Sequence, residues 1–117
     1  MHELSIVQNV VRTTEEFAEA QDIPKVKKVV MEIGSLTGVI PKYMQMYYPE
    51  TCQGTRLENS ELVIEEIEAE SFCRCCGEVF KPMHTRGVCP KCNSADQEIL
   101  HGNELLIKEI AYEEQEN

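Results

Sequence analysis

Two Cys-x-x-Cys pairs carry the most specific chemistry in the chain: Cys73-Arg74-Cys75-Cys76 and Cys89-Pro90-Lys91-Cys92, with twelve residues between them. Each pair can fold into a tight knuckle, and two knuckles can offer four thiolates to one ion in a tetrahedron. Soft thiolates select zinc or iron, and four of them leave no coordination position open for a substrate. The spacing therefore points to Zn(II) as a structural staple held by Cys73, Cys76, Cys89 and Cys92. A rubredoxin-like iron centre is the alternative, because Cys-Pro-x-Cys also occurs there. Cys75 reads as a spare thiol, His84 as a loop histidine able to replace a thiolate, and Cys52 as an ordinary buried cysteine.

A second metal-binding pattern lies at the start of the numbering. The imidazole of His2 can close chelate rings with the α-amine of Met1 and with deprotonated backbone nitrogens of His2 and Glu3. Nitrogen donors in one plane suit Ni(II) or Cu(II) better than zinc. Taken alone, the motif is short, and a solvated terminal histidine looks the same.

Charge separates these stretches from the rest. The chain carries a net −10, yet residues 71–97 hold Arg74, Lys81, Arg86 and Lys91 against Glu78 and Asp96. Four thiolates around one divalent ion bring that +2 module to about zero, so its basic side chains balance a metal centre. The remaining −12 argues against a nucleic-acid surface. Six cysteines without a secretory signal suit a reducing, cytoplasmic setting rather than a disulfide framework. No apolar run is long enough to span a membrane. Nor is there a nucleophile–base pair, a phosphate loop or an open catalytic metal motif, so an enzyme is not expected.

The elements that must position these groups follow from periodicity. Residues 3–21 read as an amphipathic helix with Leu4, Val7, Val10, Val11, Phe17 and Ala18 on its apolar stripe. Glu3 favours the positive end of its dipole, and Asp22-Ile23-Pro24 ends it. Val26–Ile33 reads as a strand with Val29, Met31 and Ile33 on one face and Lys28, Val30 and Glu32 on the other. Gly34–Gly38 is a turn-rich break. Pro41 opens a second helix with Met44, Tyr47, Tyr48 and Cys52 on its stripe, and Pro49 predicts a kink or an end near Tyr48. Leu62–Ala69 forms the next strand, whose apolar phase changes as if bulged at Glu65-Glu66. Leu105–Tyr112 is the last strand, followed by an acidic tail expected to fray. The fold class expected is α+β: a small three-stranded sheet with two helices, and a zinc-ribbon-like four-cysteine module inserted before the last strand. Residues 1–70 and 98–117 would form the base and 71–97 the module.

Met1-His2-Glu3-Leu4-Ser5, then Val30-Met31-Glu32-Ile33-Gly34-Ser35-Leu36-Thr37-Gly38-Val39, then the two cysteine pairs, stand in an order that resembles the HypA-type hydrogenase maturation proteins. The resemblance runs over nearly the whole length. It implies a zinc-binding head on an α/β base, and an N-terminal histidine that helps deliver nickel to the [NiFe]-hydrogenase large subunit. It implies a nickel-handling maturation GTPase as partner and, for some members, service to urease maturation factors. Carried over, the nickel position falls on His2 with the backbone of Met1 and Glu3, and zinc on Cys73, Cys76, Cys89 and Cys92. Members often have an acidic residue where this chain has Ile40, and Pro49 and Cys75 are also departures. Beside the metallochaperone reading stand two others, a zinc-ribbon nucleic-acid-associated module and an iron electron carrier.

Overall fold

A computed structural model describes residues 2–114. Helix α1 (Glu3–Ala20) leads to strand β1 (Lys25–Gly34), a short 3-10 turn (Ser35–Thr37) and helix α2 (Pro41–Cys52). Strands β2 (Glu61–Ile67), β3 (Glu70–Cys73) and β4 (Val79–Phe80) follow, then a 3-10 turn (Pro82–His84), β5 (Gln97–His101) and β6 (Leu105–Glu113). The strands make two three-stranded sheets, in the orders β2-β1-β6 and β4-β3-β5. This is the α+β architecture expected, with a second small sheet that periodicity did not reveal. The strands of that sheet span as few as two residues, too few for an alternating pattern.

Helix α1 buries Val7, Val10, Val11 and Ala18, as its spacing requires, together with Thr14. Leu4 and Phe17, expected on the stripe, are exposed instead. They sit at the margins of an arc centred on Val7, Val11, Thr14 and Ala18, so the small polar Thr14 takes the central place. The middle strand β1 buries Val29, Val30 and Met31 in succession, so Val30 does not share the fate of the half-buried Lys28 and Glu32. A strand flanked by neighbours on both edges can be covered on both faces.

Pro49 does not end α2, which continues to Cys52. Met44, Tyr48 and Cys52, at one-turn intervals on either side of the proline, are almost fully buried, and the Tyr48 hydroxyl meets the Ser60 hydroxyl at 2.7 Å. Burial of three such side chains, roughly 1.5–3 kcal/mol each for the larger ones, offsets the ~3 kcal/mol that an interior proline costs. Strand β2 also departs from expectation: it stops at Ile67, and Ala69 lies in the break before β3. The change of apolar phase falls earlier, between Ile64 and Ile67 within β2. Ala69 is fully buried, and a Cβ added to Gly102 would lie 2.4 Å from the Ala69 Cα.

The described residues gather into two compact units. One comprises the chain through Met31, Val39–Glu65 and the segment from Leu106; the other comprises Glu32–Gly38 and Glu66–Leu105. In the first, α1 packs on α2, and Arg56 binds Glu15 through its backbone N–H (2.9 Å) and its guanidinium (2.7 Å). The second contains residues 71–97 but reaches further, because β3 pairs antiparallel with β5 from Glu70↔His101 to Cys73↔Gln97. Residues 34–38 are tied into it by Gly34 N–H to Glu104 C=O, Leu36 N–H to Gly102 C=O, and Ala69 N–H to the Ser35 hydroxyl. A Cβ on Gly34 would stand 2.0 Å from the Gly102 carbonyl oxygen, and Gly102 holds φ +118°. Two backbones touch there with no room for a side chain. The expected fraying of residues 115–117 lies outside the described residues.

Candidate metal sites

The two cysteine pairs are built alike. After Cys73, the Gly77 N–H returns to the Cys73 carbonyl (2.9 Å) and the Cys73 N–H reaches the Glu78 carbonyl (2.8 Å). After Cys89, the Asn93 N–H returns to the Cys89 carbonyl (2.8 Å) and the Cys89 N–H reaches the Ser94 carbonyl (2.9 Å). The turn closes through a left-handed residue at the same place in each, Gly77 (φ 78°) and Asn93 (φ 65°), types that tolerate that conformation. Each knuckle thus folds back on itself and turns both of its thiols to one side.

The sulfurs converge. Cys73 Sγ lies 3.5 Å from Cys92 Sγ and Cys76 Sγ 3.5 Å from Cys89 Sγ, and all four fall within 4.8 Å of one another. Zn–S bonds of about 2.3 Å in a tetrahedron put sulfurs about 3.8 Å apart, so this donor set fits a structural zinc ion. Cys73 and Cys89 are buried against Phe80, with Cys76 packed beside them. Cys92 is exposed, so the site is closed by its own chain on three sides.

Charge explains why such a cluster calls for a cation. Backbone N–H groups of Cys76 and Cys75 point at the Cys73 sulfur and bring its thiol down to about 7, even against desolvation. At Cys92 the Ser94 N–H pulls the same way, but the crowd of Cys73, Cys76 and Cys89 sulfurs wins and pushes that thiol up to about 12. One thiolate forms readily; four together need a metal.

Three neighbours stand apart from the four sulfurs. Cys75 is exposed, with Sγ 3.2 Å from the Ser94 hydroxyl. His84 does not face the cluster: its Nε2 sits 2.9 Å from Glu68 Oε1, where Lys81 Nζ also arrives at 3.2 Å. A parallel pair joins His101 Nε2 to Glu70 Oε1 at 2.8 Å. Sequence alone missed both pairs, since nothing in the spacing of 68 and 84 or 70 and 101 marks them as neighbours. Cys52 is the buried cysteine expected, its thiol pushed up by burial.

The N-terminal group is the opposite kind of place. Met1 lies outside the described residues. His2 is the N-cap of α1, exposed, with φ −90° and ψ 105° and no capping hydrogen bond from its imidazole. Its carbonyl accepts the Ile6 N–H at 3.3 Å, as an N-cap carbonyl should. Glu3 is more than a dipole charge. Its Oε2 accepts the N–H of Ile40, the N-cap of α2, at 3.1 Å, and this bond holds the carboxyl below the usual carboxylate range. The start of one helix is thereby tethered to the start of the other. The signal was present in the sequence only as an acid at the first helical position.

Comparison with known proteins completes the description. Residues 1–112 match the family model described as HypA, hydrogenase/urease nickel incorporation, metallochaperone. A protein of Rippkaea orientalis named hydrogenase maturation factor HypA is 40% identical over 114 residues, 97% of each chain. One of the same name from Aquifex aeolicus is 33% identical over 113 residues, 97% of this chain and 98% of that one. Among solved structures, the Ni metallochaperone HypA from Helicobacter pylori superposes with a TM-score of 0.66 at 28% identity, covering 96% of this chain and 97% of that one.

Proposed function

The chain belongs to the HypA family of hydrogenase/urease nickel-incorporation metallochaperones, and on that premise we propose that it binds Ni(II) at its N-terminus and passes it to the [NiFe]-hydrogenase large subunit. The donors are the His2 imidazole, the Met1 amine and the backbone nitrogens of His2 and Glu3. A nickel-handling maturation GTPase is its partner, urease maturation factors are a second destination, and the work is done in the cytoplasm. No bond of a substrate is made or broken, so the protein is a carrier and not an enzyme. Among the described residues no helix is long and apolar enough to cross a membrane.

The observation that carries this reading is the posture of His2. Backbone amides at the first positions of a helix have no intrahelical acceptor. Deprotonating the nitrogens of His2 and Glu3 for nickel therefore breaks no helical hydrogen bond, and negative charge there is favoured by the helix dipole. The imidazole is exposed and engaged in no cap, so it can meet a partner's ligands directly. An open, terminal site can exchange its donors one at a time, as transfer demands. The four cysteines are proposed as the ligands of the zinc ion, which supplies a fixed cross-link and no exchangeable position.

Nickel titration of the untagged protein against His2→Ala tests the proposal. The variant should lose specific nickel binding and keep its zinc. Equal nickel affinity in both proteins would overturn the assignment of His2.

A further inference from the structure

We infer that the outer edge of β6 is a docking site for an extended, lysine- or arginine-bearing segment of another protein, which adds to the sheet as a fourth strand. Three observations carry this. In the order β2-β1-β6, strand β6 has a neighbour on one side only among the described residues, and Leu105–Glu113 is a nine-residue edge. Free edges are ordinarily blunted by proline, bulges, brevity or charge; Leu-Leu-Ile-Lys-Glu-Ile-Ala-Tyr-Glu has no proline or glycine and is long, and its charges are Lys108, Glu109 and Glu113. A long edge left open is a template for another strand.

The second observation is a groove of about 260 Å³ lined by Phe17, Ile107, Lys108, Glu109, Ile110 and Tyr112. Neighbouring residues of a strand point to opposite faces. A groove touching 107 through 110 in succession must therefore run along the strand's edge, not across one face. Phe17 of α1 walls it. This is the aromatic side chain that the helix's apolar stripe leaves 44% exposed, and Tyr112 beside it is 45% exposed. Two aromatic rings flanking an open backbone edge offer anchors for alternate side chains of an incoming strand.

Charge selects the occupant. Glu109 lines this groove, and Asp22, Glu113 and Glu114 line the adjoining one, which shares Phe17 and Tyr112. The nearby cations are already engaged: Lys108 with Glu65 at 2.8 Å, and Lys27 with Glu113 at 3.8 Å. Acid is left over at Asp22, Glu109 and Glu114, so an incoming strand with basic flanks gains and an acidic one is repelled. A second copy of this chain, itself carrying −10, is disfavoured for the same reason.

The test uses the full chain and two synthetic ten-residue peptides of alternating valine and tyrosine, one with lysines at both ends and one with glutamates. The lysine peptide should bind, weaken with added salt, and protect backbone amides of residues 106–113 from hydrogen exchange. Phe17→Ala should weaken it at least about fivefold, the loss expected of an anchoring aromatic. Its buried face is untouched by that change, and unaltered far-ultraviolet circular dichroism would show as much. The double variant Glu109→Lys/Glu114→Lys should reverse the preference between the two peptides. Equal binding of both peptides to the wild type, or protection outside β6, would overturn the inference. So would a sedimenting dimer that Phe17→Ala dissolves, because the edge would then be filled by a second copy.

Discussion

The four-cysteine cluster and the nickel site proposed at the His2 end of α1 solve opposite problems with different donors, thiol sulfur in one and nitrogen in the other. The cluster surrounds its ion with two self-closing turns, buries two of four sulfurs, and crowds the thiols until only a cation can reconcile them. The N-terminal site offers an uncapped imidazole and amides that owe nothing to the helix. Retention calls for donors that cannot be approached singly; transfer calls for donors that can. Neither arrangement of donors could do the other's work.

That contrast can be broken at either end. The largest effect belongs to the cluster. Replacing Cys89 by Ser, or stripping the metal with a chelator, should unfold residues 66–105, because a zinc ion in such a site contributes on the order of 10 kcal/mol. Heteronuclear spectra would show those signals collapse while the signals of α1 and α2 persist. Next comes the terminus: one residue added before Met1 should weaken nickel binding by at least ~100-fold, beyond what loss of a mere supporting residue does. Calorimetry would read that loss, with zinc content still one per chain. If nickel binding survives the extension, the amine is not a donor.

A proton count offers a finer comparison. Above about 7 the Cys73 thiol ionises on its own, whereas Cys92 keeps its proton up to about 12. Zinc binding to the metal-free protein at pH 7 should therefore expel at least two protons, those of Cys76 and Cys92, and its affinity should fall steadily as pH drops. Titrations in two buffers of different ionisation enthalpy measure that number.

The smallest effect concerns the tether. Glu3→Ala removes the acceptor for the Ile40 N–H and should raise the nickel dissociation rate a few-fold. Glu3→Gln, which can still accept that bond, should restore it. Because the bond lowers the Glu3 carboxyl, its contribution is present at neutral pH and is lost only in acid below the ordinary carboxylate range. Stopped-flow release at pH 7 for the three proteins would decide.

Much of this was legible in the residues themselves. The cysteine spacing picked out four thiols that the fold brings within 4.8 Å, and the 3.6-residue rhythm placed α1 to within a residue at either end. What escaped was whatever depended on a distant partner. Pro49 is a local breaker, yet Met44, Tyr48 and Cys52 hold α2 through it, with the Tyr48 hydroxyl bonded to that of Ser60 twelve residues away. Strand β2 ends early because Ala69 is wanted against Gly102. Glu3 finds Ile40 across thirty-seven residues, through a backbone N–H that any residue but proline would supply. Such a bond leaves no mark on the identity of position 40.

The touching backbones at Gly34 and Gly102 have a consequence in the history of the gene. Every amino-acid change from glycine adds at least a Cβ, and at both positions that atom would overlap main chain by more than 1 Å of ordinary contact distance. Neither codon can drift to any other meaning unless the two segments part. A lineage could retune its terminus or its acidic surface by single substitutions, but this crossing admits no intermediate. It is a fixed point around which the rest of the sequence is free to wander.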